Sequence, residues 1–261
     1  RCCCSKACQS VLGENTGLVS GHISSFAFFQ SGGVAGPERS VYDKDMRYET
    51  WPNLATMFFD RAAEYGDKPF LWAKKDGAYQ PLSWRQTAAR IRGLAAGLKA
   101  CGMESGDRIV LVSESRPEWL IADIAIMAAG GISVPAYTTN TVEDHLHILK
   151  NSGAKGIIVS TPQLASRLIP AAEKAPESRF IISMSPLETS GKSSLAFHDW
   201  AEILEKGKEK AGEVEAWAAQ LQRSDTACLI YTSGTGGAPK GVMLSHGAII
   251  SNCKGACHVL E

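Results

Sequence analysis

Eleven residues, Tyr231 to Gly241 (YTSGTGGAPKG), hold four glycines, three aliphatic hydroxyls and one lysine. Glycine has no Cβ, so successive backbone N–H groups can turn into one concavity and bind an anion. Thr232, Ser233 and Thr235 add hydroxyl donors to phosphate oxygens. A hydroxyl oxygen can also ligate magnesium. Lys240 adds a mobile positive charge. The combination reads as a cradle for a polyphosphate, set directly after an apolar run (TACLIY, 226–231) that predicts a buried strand. A glycine-rich turn alone is just as often an ordinary connection, so the pattern must be tested against known phosphate loops.

Two of those loops are excluded by residue chemistry. The pattern G-x-x-x-x-G-K-S/T fails from Gly234, because Pro239 stands where the second glycine belongs and Gly241 where Ser or Thr belongs. The dinucleotide pattern G-x-G-x-x-G needs a helix to open within the glycines, and Pro239 blocks it. The text after Lys240 (VML) reads as extended chain rather than helix.

The elements that must position this segment alternate regularly from Thr50 onward. A helical spacing of apolar residues runs from Asn53 to Tyr65 and ends at Gly66. Residues 70–82 predict two short strands around Asp76-Gly77. Ser83 with Gln86 predicts a capping box for a helix over 84–101, ended by Gly102. RIVLVS (108–113) reads as a buried strand. Ser115, Pro117 and Glu118 predict a second capping box and a helix to Ala129. Strands follow at 132–137, 156–160 and 179–184. Thr141 caps a helix to about Asn151, and Thr161 with Pro162 opens another to about Lys174. Residues 185–223 are more polar and read as surface decoration. Repeated strand–helix units of this length imply an α/β fold with mostly parallel strands and helices on the sheet faces.

Composition limits the classes. The chain has 261 residues, 27 basic and 27 acidic side chains, and net charge zero, which argues against nucleic-acid binding through bulk charge. The apolar run from Leu120 to Ala136 contains Asp123, Gly130, Gly131 and Pro135 and is too short for a membrane span, so a buried helix and strand are expected. Cysteine spacing does not read as a disulfide framework, and a reduced, cytoplasmic compartment is the inference. Residues 1–45 show no clear period and read as a disordered or non-native extension, with 46–261 as the folded unit. The text stops at Glu261 inside a helical pattern, so the chain reads as part of a longer one. His145 and His147, two apart on a helix, are expected on a solvated surface. His246 is expected to open the helix after the loop, with Ser245 as its cap; a place near an acyl group is the other reading. Trp51, Trp84 and Trp119 fit core packing.

The string YTSGTGGAPKGVMLSH resembles the phosphate loop of the adenylate-forming (AMP-binding) ligase superfamily, usually Tyr-Thr-Ser-Gly-Thr-Thr-Gly-x-Pro-Lys-Gly-Val. Gly236 departs from it, standing where the family has a hydroxyl residue. WPNLATMFFDRAAEYGDKPFL, LSWRQ, GDRIVLVSESRPEWLIADIAIMAAGGISVPAYTTNT and EDHLHILKNSGAKGIIVS resemble the N-terminal part of a long-chain fatty-acid–CoA ligase, over residues 47–261. The resemblance implies ATP-dependent conversion of a fatty acid to acyl-adenylate, then to acyl-CoA, with ATP, Mg2+ and coenzyme A taking part. It implies that Thr232, Ser233, Gly234, Thr235, Gly236, Gly237 and Lys240 wrap the β- and γ-phosphates, with Thr232 a candidate magnesium ligand. The adenine pocket, an acidic metal partner, a ribose-binding aspartate and a small domain with a catalytic lysine lie downstream in that family. No catalytic residue is therefore expected in this chain, and the chain alone is expected not to complete the reaction. Another carboxylate-activating enzyme of the same fold (an aryl-CoA ligase, a luciferase-like oxidase or an amino-acid adenylation domain) and a non-catalytic nucleotide-binding remnant are the alternatives. Fatty acid, ATP and coenzyme A are the expected partners, with peripheral membrane contact left open.

Overall fold

Local chemistry sets most element boundaries. In the computed structural model, which describes residues 48–187, 193–232 and 238–259, the Asn53 side chain accepts from Thr56 N and starts helix α1 (Leu54–Tyr65). The Asn53 amide also donates to Ala218 O and Leu221 O, so one cap ties α1 to a segment far along the chain. Strands β1 (Pro69–Lys75) and β2 (Ala78–Ser83) form a separate antiparallel hairpin. Asp76 and Gly77 both take positive φ, 52° and 82°, as a two-residue hairpin turn requires. The predicted capping box is present: Ser83 Oγ accepts from Gln86 N, and Gln86 Oε1 accepts from Ser83 N. It opens α2 (Trp84–Ala100).

Strand β3 (Arg108–Val112) is followed by α3 (Pro117–Ala128), which corrects the second predicted capping box. The N-cap is Arg116, without a side-chain capping bond. Ser115 lies one residue too early, and Pro117 at the first helical position fixes the start instead. Strand β4 (Ile132–Pro135) leads to α4 (Val142–Ser152), where Thr141 and Asp144 form a full capping box and Gly153 closes the helix in the left-handed region. Then come β5 (Gly156–Val159), α5 (Pro162–Ala172) and β6 (Phe180–Ser183).

The expectation of surface decoration over 185–223 is overturned. Strand β7 (Ala196–Asp199) pairs with β6 and extends the sheet. Helix α6 (Trp200–Lys206), a 3-10 turn (Gly207–Glu213) and α7 (Val214–Ala218) follow, and Ile203, Val214 and Ala218 are fully buried. Missing side chains on α2 allow this. A Cβ on Gly97 would lie 2.3 Å from Ile203 O, and one on Gly207 would lie 1.8 Å from Gly93 O. Two backbones touch there, and only glycine leaves room.

The main sheet has the order β7-β6-β5-β3-β4-β8-β9, with β8 (Thr226–Thr232) parallel to β4 and β9 (Lys240–Ser245) antiparallel to β8. Helix α8 (His246–Val259) ends the described chain. One face of the sheet buries Ile109, Leu111, Ile158 and Ile230 against α1–α3, α6, α7 and α8. The other buries Val110, Val112, Ile157 and Val159 against α4 and α5. Alternate residues of each strand serve opposite layers, as a doubly covered parallel sheet demands. The expected α/β class with mostly parallel strands is the architecture found. The run from Leu120 to Ala136 is a buried helix and strand, and no described helix is long and apolar enough to cross a membrane. The expected extension at residues 1–45 lies outside the described residues.

Candidate phosphate site

Thr232 and Lys240 face each other as the closing pair of the β8–β9 ladder. Of the seven residues expected to hold phosphate, these two are described. Ser233, Gly234, Thr235, Gly236 and Gly237 lie outside the described residues. The VML run is a strand, as expected. The Thr232–Lys240 pair stands at the C-terminal end of β8, the end at which open α/β sheets bind ligands. Chain direction reverses here: the chain leaves β4 toward β5 on one side, and leaves β8 toward β9 on the other. Adjacent strands with diverging exits leave a crevice beyond their ends. Thr232 is half-buried and Lys240 is exposed. The exposed Lys240 ammonium has no ion-pair or hydrogen-bond partner among the described residues.

Helix α4 supports both stems. His147 Nε2 lies 2.7 Å from Pro239 O and donates its proton to that carbonyl. Tyr231 OH donates to Asn151 Oδ1 at 2.7 Å. The His147 and Tyr231 rings meet edge to face at 6.1 Å and 88°. Burial pushes the Tyr231 phenol above its ordinary pKa, so it stays a neutral donor. Gly241 makes room for that ring, since a Cβ there would lie 3.1 Å from Tyr231 Cζ. A concavity of about 460 Å³ beside the stems is lined by Glu143, Leu146, His147, Lys150 and Asn151.

The expectation of solvated histidines on this helix fails. His145 is 1% exposed, and its Nδ1 has no hydrogen-bond partner among the described residues. Burial, and then the nearby Arg167 charge, lower its pKa to about 4. Arg167 itself donates to Thr138 O at 2.8 Å and Asn140 O at 3.2 Å, holding the loop after β4. His147 is half-buried and bonded to the loop stem. Two-residue spacing sent the rings in different directions, as expected, but both directions meet protein. His246 opens α8 and Ser245 Oγ accepts from Ala248 N at 3.1 Å, as expected. His246 Nδ1 accepts from Leu54 N at 3.3 Å, which satisfies a free N–H in the first turn of α1. Burial lowers its pKa to about 4. That nitrogen is thereby committed to the fold. His147 and Asn151 were missed as loop supports. Their i, i+4 spacing on one helix face was the available signal.

The model of the AMP-binding enzyme family matches residues 58–260. The chain belongs to that family. It is 32% identical over 205 residues to a long-chain-fatty-acid–CoA ligase of Mycobacterium tuberculosis, covering 78% of this chain and 33% of that protein. It is 29% identical over 223 residues to a chloroplastic long-chain-fatty-acid–acyl-carrier-protein ligase of Arabidopsis thaliana, covering 81% and 30%. The chain thus spans about a third of the length of the curated relatives it matches. Among solved structures, an anthranilate CoA ligase in complex with anthranoyl-AMP superposes with TM-score 0.63 at 20% identity, over 77% of this chain and 37% of that one. A benzoate CoA ligase from Burkholderia xenovorans superposes with TM-score 0.58 at 22% identity, over 74% and 34%. These superpositions establish the shared fold. The long-chain-ligase resemblance and the α/β fold read from the sequence agree with these relatives.

Proposed function

We propose that the segment Thr232–Lys240 grips the β- and γ-phosphates of ATP in an enzyme that activates a fatty acid, first to acyl-adenylate and then to acyl-CoA. The observation that carries the reading is the Thr232–Lys240 pair at the mouth of a glycine- and hydroxyl-rich connection, at the C-terminal end of a buried strand. The family match and the fatty-acid ligases at 29–32% identity support the substrate class.

In the first step, a carboxylate oxygen bonds to the α-phosphorus while the bond to the bridging oxygen breaks and pyrophosphate leaves. In the second, a thiolate bonds to the acyl carbon and AMP leaves. Negative charge builds on the departing pyrophosphate, and fixed N–H and ammonium donors lower that barrier without reorganising. Lys240 supplies the ammonium. Magnesium fits this site as an ion carried in by the nucleotide. Among the described residues no three His, Cys, Asp or Glu side chains form a metal cluster. Magnesium commonly binds through phosphates, waters and one or two protein oxygens, and the Thr232 hydroxyl provides one. When bound, the ion neutralises phosphate charge.

The 261-residue chain is expected to bind Mg·ATP without turning over palmitate. Calorimetry should show Lys240→Ala weakening Mg·ATP by roughly 10- to 100-fold, the size of a lost charge-assisted hydrogen bond. Equal binding by both proteins would overturn the site. Absence of binding by the native chain would also overturn the site, whereas binding that needs Lys240 without turnover is shared by a non-catalytic nucleotide-binding remnant. Pyrophosphate release from palmitate and ATP by this chain would overturn the expectation that it is incomplete.

A further inference from the structure

We infer that helix α4 is a two-point clamp on the phosphate loop, with His147 and Asn151 as positioning residues. The inference rests on the nucleotide reading for its purpose, but its geometry stands apart from it. Among the described residues, strand β9 pairs on one side only, with β8. An edge strand held by one ladder can twist and fray where a long connection joins it to its partner. That loop end is where Thr232 and Lys240 must hold their spacing.

The two clamp bonds sit immediately beside this pair. Tyr231 precedes Thr232, and Pro239 precedes Lys240. Asn151 takes the first stem through the Tyr231 hydroxyl, and His147 takes the second through the Pro239 carbonyl. The two helix residues are one turn apart, about 6 Å along the axis, which matches one strand-to-strand spacing of about 5 Å. One rigid helix face can therefore hold both strands at once. Pro239 has no N–H, so its carbonyl is its only backbone polar group, and His147 fixes it. Gly241 lets the Tyr231 ring lie across the ladder and reach Asn151. The clamp spares ATP the cost of ordering the loop stems, which appears as affinity.

The test combines amide hydrogen exchange with Mg·ATP calorimetry on the full 261-residue chain. His147→Ala is expected to speed exchange at Lys240–Val242 about tenfold and to weaken Mg·ATP 3- to 10-fold. His147→Gln keeps an N–H donor at similar reach and is expected to restore both within twofold. His147→Asn, whose donor stops short, is not. A general packing loss would not distinguish Gln from Asn. Tyr231→Phe removes the other bond while keeping the ring, so it probes the clamp even if His147→Ala folds poorly; it is expected to speed exchange at the same amides. Unchanged exchange in both variants would overturn the clamp, as would equal loosening by Ala and Gln. Faster exchange with Gln rescue, in a native chain that does not bind Mg·ATP, would support the clamp and overturn the nucleotide reading.

Discussion

Among the described residues, two antiparallel hairpins differ in what holds them. The β1–β2 hairpin closes on Asp76-Gly77, stands apart from the main sheet and leaves Tyr79 66% exposed near its tip. Two residues of suitable φ suffice to make that turn. The β8–β9 hairpin closes through seven residues, continues the main sheet, buries Tyr231 and takes two bonds from α4. A short turn is specified by its own residues. A long connection is not closed by its own residues, so its stems take their anchors from elsewhere in the fold.

Removing the anchor should have the largest effect. Tyr231→Ala deletes a buried ring and the Asn151 bond, and is expected to cost about 3–5 kcal/mol in urea unfolding. Acid should come next, and should act on one hairpin. His145 lies on the clamp helix and His246 directly follows β9, both with pKa lowered to about 4. A lowered pKa means that folding favours the neutral ring. That stability is complete above pH 6.5 and is lost as pH falls toward 4, by up to about 3 kcal/mol per histidine. Backbone amide resonances of β8–β9 should therefore broaden or shift between pH 6.5 and 4 while those of β1–β2 stay in place. Equal loss in both hairpins would contradict the distinction.

Smaller effects should mark the free hairpin. Gly77→Ala puts a side chain at φ +82° in open space, a strain of about 1 kcal/mol visible as a lower urea midpoint. Tyr79→Ala should change stability by less than about 0.5 kcal/mol. A large loss there would mean that the first hairpin, too, leans on the rest of the molecule.

Some of this was readable from local text and some was not. The box at Ser83 and Gln86, the Asp76-Gly77 turn and the run of buried strands depend on residues within four positions of each other, so spelling and geometry coincide. Arg116 took the cap expected of Ser115 because proline geometry outweighed a hydroxyl one residue away. The polar run 185–223 hid buried Ile203, Val214 and Ala218, since their cover comes from helices far earlier in the chain: Gly93 and Gly97 of α2 for the Ile203–Gly207 segment, and the Asn53 end of α1 for Ala218.

By itself, the sequence determined the strand–helix alternation and the set of donor groups carried by residues 232–240, because both follow from short-range periodicity and from the donors each side chain carries. Only the tertiary structure decided that His145 is buried, that His147 and Asn151 hold the loop stems, and that His246 caps α1. Each of those depends on parallel crossovers that bring distant helices to the ends of particular strands, and no local pattern encodes which helix arrives where.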